Sequence, residues 1–176
     1  MKALVVYESM FGNTEQVARA IAHGLSTRVT TDSVPVRGAS AGIATDHELI
    51  VVGGPTHAFS MSRPSTREDA GRQGARQADA QEGQGIREWL DGLPPRYHNA
   101  VAAAFDTRVV KVRHLPGSAA KKADKVLRQH GLSHLAPPES FYVEATGGPL
   151  VDGELARAEA WGEQLGRELL NRMGEH

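Results

Sequence analysis

The chain has 176 residues, 40% of them hydrophobic and 23% charged, with a formal net charge of −1 at pH 7 and no cysteine. That length fits one compact domain with a sizeable core, and the near-neutral charge excludes a general electrostatic field for nucleic acid or an anionic membrane. Without cysteine there is no disulfide, thiolate nucleophile, iron–sulfur cluster or cysteine-ligated zinc, which fits a reducing cytoplasm.

Along the chain, short apolar runs alternate with segments of helical period, the pattern of βα repeats around a parallel sheet. Ala3–Tyr7 is continuous and valine-rich, so a buried strand is predicted. It is too short for a signal-peptide core, and no later run approaches the ~18–20 apolar residues of a membrane helix. A soluble, cytoplasmic protein is the expectation. Thr14–Leu25 reads as a helix with Val17, Ala20, Ile21 and Leu25 on one stripe. Val29–Val36 alternates, as a strand near a sheet edge does. Gly38–Asp46 is small and polar, enough for a short helix only. Leu49–Val52 is a second core strand, ending in Gly53-Gly54-Pro55-Thr56.

From Ser60 to Gln84 almost no apolar residue occurs, and a long, partly ordered excursion is predicted. Ile86–Leu93 is amphipathic and stopped by Pro94-Pro95. Ala100–Phe105 is the next strand, and Ser118–Gln129 a helix with Ser118 as N-cap. Phe141–Glu144 reads as the last strand and Leu155–Met173 as the last helix, with Trp161, Leu165 and Leu169 inward. The sum is five strands and four or five helices in a single domain over residues 1–176, with no internal repeat.

Three segments follow predicted strands and carry chemistry. Ser9-Met10-Phe11-Gly12-Asn13-Thr14 lies between strand and helix, where free backbone N–H groups and the positive end of the helix dipole make an anion site. No lysine follows, so it is not the G-x-x-x-x-G-K-[ST] nucleotide loop; the G-x-G-x-x-G dinucleotide pattern is missing too. A donor-rich loop without a cation suits a terminal monophosphate; an ordinary helix cap would use the same residues. Gly53-Gly54-Pro55-Thr56-His57-Ala58-Phe59 allows a flat ligand to approach backbone, as it also allows a plain Gly-Pro turn. Phe105-Asp106-Thr107-Arg108 offers a ring, a carboxylate, a hydroxyl and a guanidinium, or simply a surface ion pair. Loops after the first, third and fourth strands converge if the strand order is 2-1-3-4-5, because ligands bind beyond the carboxyl ends at a switch point.

Ser9 to Thr14, together with Gly54-Pro55-Thr56 and the lead-in Glu144–Glu154 to the last helix, resembles the flavodoxin-like family over essentially the whole chain. The resemblance implies a three-layer α/β sandwich, a five-stranded parallel sheet of order 2-1-3-4-5 with helices on both faces. It implies one FMN, its phosphate at Ser9, Met10, Phe11, Gly12, Asn13 and Thr14. Its ring would lie near Pro55, Thr56, His57, Phe105, Asp106 and Arg108. Electron transfer follows, as a carrier or a small flavin reductase, with a redox partner protein or small-molecule acceptor. The alternative is a flavodoxin-shaped interaction module that has lost flavin.

Departures from the family pattern are visible. Flavin-stacking aromatics are usually Trp and Tyr in the second and third loops, where this chain has His57, Phe59 and Phe105. An inward Arg108 would favour the anionic reduced form of the cofactor, away from a low-potential carrier. The 60–84 stretch is either a lid over the cofactor, a docking element or a solvated insertion. A phosphoryl-accepting receiver domain is rejected, since Gly53-Gly54 stands where its aspartate is needed and only Glu8 follows the first strand. His130 and His134 straddle Gly131 without a carboxylate, so no metal site is expected. Asp32 lies at the spacing of a ribose-binding acid but lacks the glycine pattern. No catalytic residue is assigned.

Overall fold

In the computed structural model, residues 1–57, 60–74, 84–95, 97 and 100–174 are described. The strands are β1 (Lys2–Tyr7), β2 (Thr30–Pro35), β3 (Leu49–Pro55), β4 (Val101–Val109), β5 (Ser133–His134) and β6 (Glu139–Val143). The helices are α1 (Asn13–Ser26), α2 (Pro64–Arg72), α3 (Ile86–Asp91), α4 (Ala119–Gln129) and α5 (Glu154–Gly174).

All pairings are parallel and the order is β2-β1-β3-β4-β5, as expected, with β6 attached to β4. The fifth position is therefore shared. β5 pairs with Val101 and Ala102, and β6 pairs with Phe105 to Val109. Pro137 and Pro138 sit between them and have no N–H to donate to the ladder, which separates the two; β6 is the expected last strand, and the short β5 was not anticipated.

Alternation along the strands sorts the core into two layers. Ala3, Val5, Leu49, Val51, Ala103 and Phe105 pack under α1 and α5, against Val17, Ile21, Trp161 and Leu165. Leu4, Val6, Ile50, Val52, Ala102 and Ala104 face α3 and α4, against Trp89, Leu90, Ala120 and Leu127. Burial on both faces is why β1, β3 and β4 read as continuous apolar runs. β2 is half exposed, as an edge strand.

The short helix expected over Gly38–Asp46 is present as 3₁₀ turns, Val36–Gly38 and Ala41–Asp46. The 60–84 excursion contains α2, started by Pro64 at its first turn. There the Arg63 backbone N–H donates to Thr66 Oγ1 at 2.8 Å, and that hydroxyl donates to Arg63 O at 2.9 Å. Residues 75–83 of that excursion, with Arg76 and Asp79, lie outside the described residues, as do Ala58 and Phe59. Among the described residues no helix is long and apolar enough to cross a membrane.

Candidate functional site

Because β1, β3 and β4 run parallel, their carboxyl ends open on one side of the sheet. After β1 the chain turns through Gly12 at φ 92°, a left-handed conformation that a Cβ would strain, and α1 begins at Asn13. No side chain caps α1. Ser9 Oγ instead accepts from the Gly12 N–H at 3.1 Å, fixing the loop, while Gln16 N–H donates to Gly12 O at 3.1 Å to close the first turn. Among the described residues, the helix N-terminus thus keeps its positive end without a side-chain cap.

The second loop is pinned by Thr56 N–H to Thr107 O at 2.9 Å and by reciprocal backbone bonds between His57 and Ser60 at 2.8 and 2.9 Å. The first and third segments touch where the Thr14 and Thr107 hydroxyls lie 2.7 Å apart, both buried. One hydroxyl proton makes that bond, so the pair retains a second for a ligand.

These segments line an open cleft of about 240 Å³, somewhat below the roughly 300–1,000 Å³ of small-molecule sites. Of the residues anticipated from sequence, Met10, Phe11, Asn13, Thr14, Pro55, Thr56, His57 and Arg108 line it. Thr107, whose hydroxyl was noted in the third segment without being assigned to the ligand, lines it as well, and so do Val109, Val143 and Thr146, which were not anticipated. Thr107 is two positions past Phe105 on the α1 side of β4. Val143 and Thr146 arrive through β6, and no local signal marks them.

Two polar atoms in the wall are buried and have no hydrogen-bond partner among the described residues: His57 Nε2 and Arg108 Nε. Burial, with the Arg67 charge adding to it, lowers the His57 pKa, so its ring is neutral at pH 7. Arg108 is 6% exposed; its Nη2 donates to the carbonyls of Val112 at 2.8 Å and Leu115 at 3.2 Å. The guanidinium therefore lines the cleft and holds the following loop.

The structure does not bring Phe105 or Asp106 to the cleft wall. Phe105 points into the α1/α5 layer, edge-on to Phe141 at 6.2 Å and Trp161 at 6.4 Å between ring centroids. A Cβ at Gly53 would meet that ring at 2.0 Å, so Gly53 serves the Phe105 ring rather than a ligand. Asp106 is fully buried: its Oδ2 accepts from Thr56 Oγ1 and from the Ala120 N–H, both at 3.0 Å. Thr56 Oγ1 in turn accepts from Ala119 N–H at 2.9 Å, and Ser118 Oγ from Lys121 N–H at 3.2 Å. Asp106, Thr56 and the expected cap Ser118 together satisfy the start of α4. Ser9 shapes the first loop and Gly12 permits it; neither lines the cleft.

Beside the cleft, Glu8 is buried at the end of β1. It accepts from Ser62 Oγ at 2.5 Å and from the Ile86 N–H at 2.9 Å. Burial raises its pKa, opposed by those hydrogen bonds and by Arg67. Arg67 of α2 binds Ser62 Oγ at 3.1 Å and Glu88 Oε1 at 3.0 Å. The group clasps α2 to the start of α3. Among the described residues no group of His, Cys, Asp or Glu could hold a metal ion.

A parallel sheet of this order with a cleft over its switch point is the flavodoxin-like fold. A flavodoxin from the domain Archaea matches with a TM-score of 0.66 and 21% identity over 96% of this chain and 99% of its own. A flavodoxin from Streptococcus pneumonia TIGR4 gives 0.67 and 15%, over 98% and 99%. A diflavin flavoprotein A3 from Nostoc sp. gives 0.60 and 17%, over 100% and 98%. No family model matches the chain, and no curated protein matches it.

Proposed function

We propose that the cleft binds FMN and that the protein transfers electrons, as a carrier or a small flavin reductase. The observation that carries this reading is the α1 N-terminus. It opens behind a left-handed glycine, without a side-chain cap from that residue, and its first residues line the cleft. The residues fit the group. Backbone N–H groups of the Met10–Thr14 turn other than that of Gly12, which Ser9 Oγ holds, would take the phosphate, with the spare proton of the Thr14–Thr107 pair beside them. Pro55, His57 and Arg108 would border the ring, the last two with buried N–H or N atoms still free to pair. The flavin supplies the redox chemistry; the protein binds, orients and shields it. Arg108 adds a fixed positive charge to that wall and His57 a neutral ring, so the site favours added negative charge on its guest.

One observation favours a second reading, a flavodoxin-shaped interaction module without cofactor. With Phe105 turned into the core, the cleft offers Phe11 and His57 as its ring-bearing side chains among the described residues. The visible spectrum of the purified protein, followed by titration of the flavin-free form with FMN, separates the two. Quenched flavin fluorescence with a saturating, one-to-one endpoint supports the cofactor reading. Unchanged fluorescence at every ratio leaves the interaction module.

A further inference from the structure

The charge of this chain is strongly segregated. Between positions 107 and 130 there are seven lysines and arginines and one aspartate, a net of +6, so the rest of the chain carries −7. Lys111, Arg113, Lys121, Lys122 and Lys125 are all exposed, and none of them forms an ion pair among the described residues. The single acid, Asp124, is buried and already paired with Arg128 at 3.0 Å.

Helix stability does not account for this arrangement. Lys121 and Lys122 occupy the first turn of α4, where the helix dipole disfavours cations. Lys121 and Lys125 stand four apart, a like-charge spacing that also destabilises. The α4 terminus is satisfied by Asp106, Thr56 and Ser118 below, which leaves the lysines pointing outward with no internal role.

Position adds to charge. The basic loop begins where Arg108 and Val109 line the cleft, and Arg108 holds it through the Val112 and Leu115 carbonyls. Leu115 is 46% exposed, with Pro116 exposed beside it, so an apolar contact lies amid the cations. An apolar centre with a charged rim is the anatomy of a protein docking site. Surfaces that bind single-stranded nucleic acid add aromatic stacking platforms, and positions 106–130 contain no Phe, Tyr or Trp.

We infer that the 108–125 surface docks an acidic protein face across the mouth of the cleft. This rests on the flavin reading for its purpose, since the docked protein would be the redox partner, but not for its test. The probe is a small, strongly acidic ferredoxin, its binding followed by calorimetry at low and high salt. The expected result is binding at low salt that weakens as salt rises. It falls by about tenfold or more in Lys111→Glu/Arg113→Glu and in Lys121→Glu/Lys122→Glu. Arg167→Glu/Arg172→Glu, on exposed positions of α5 across the sheet, retains it. Unchanged affinity in both basic-surface variants, absence of binding at low salt, or tighter binding of a DNA duplex or phosphatidylserine vesicles would overturn the inference. FMN titration of the same samples is read separately. Failure to bind FMN with ferredoxin docking intact removes the cofactor reading alone; the reverse removes the docking surface alone.

Discussion

The packed face of α1 and α5 and the polar clasp at the edge of the other face are held by different physics. On the first, the two helices approach until backbone meets backbone: a Cβ at Gly24 would lie 2.1 Å from Glu159 O, and one at Gly162 would lie 2.2 Å from Ile21 O. The opposite layer of α3 and α4 is equally apolar, but α2 beside it buries only Arg67 and Ala70 and is joined to the start of α3 by Glu8, Ser62, Arg67 and Glu88. The first contact sets the direction of α1 at the back of the cleft. The clasp lies beside the cleft. Regions of few buried apolar contacts open at lower free energy than packed cores.

The largest expected effect breaks the packed face. Gly162→Ala improves helix propensity by up to about 1 kcal/mol, but the added methyl meets a carbonyl that cannot move without shifting a helix. Sterics win, and a net loss of about 3 kcal/mol is expected, measured by urea unfolding. A stabilised variant would show that the two helices are free to part. Arg67→Ala breaks the clasp. A fully buried ion pair loses roughly 3–5 kcal/mol when one partner goes, but Glu88 is 36% exposed, so about 2 kcal/mol is expected. Proteolytic cleavage within residues 60–84 should then precede global unfolding; simultaneous loss of both would deny α2 separate status.

The smallest effect sharpens the contrast through pH. The Glu8 pKa is raised in the folded state, chiefly by burial, above the 4.5 of an unperturbed glutamate. A raised pKa contributes stability that is complete below that value and is lost as pH rises through the folded pKa. Glu8→Gln cannot ionise, so its melting temperature should match the parent at and below pH 4.5 and exceed it increasingly as pH rises above that. Parallel pH curves for the two proteins would mean that Glu8 does not titrate there.

The two apolar layers were the legible part. Their valines, leucines and amphipathic helices carry periodic signals, so every strand but β5 and the helices α1, α3, α4 and α5 follow from the sequence, while the strand order came from the family resemblance. The clasp was not. α2 buries Arg67 and Ala70, and an apolar pattern cannot reveal a helix anchored by a guanidinium. The site was legible in parts. Gly12 and the first loop stand out locally, whereas Phe105 and Thr107 share one face of β4 and differ in how far along it they lie: Phe105 meets Trp161 in the core and Thr107 reaches the cleft. Asp106 reads as a surface pair in one dimension; its burial under α4 is a tertiary fact. Thr146 reaches the cleft only through β6 pairing.

The central claim is that the uncapped start of α1 receives a phosphate. The direct measurement is the affinity of the flavin-free protein for FMN against riboflavin, two ligands that differ by that phosphate alone. Charge-assisted hydrogen bonds to backbone N–H groups predict FMN the tighter by about 100-fold or more, roughly 2.7 kcal/mol. Equal affinities would contradict the claim, since the cleft would then recognise the ring without using the helix at all.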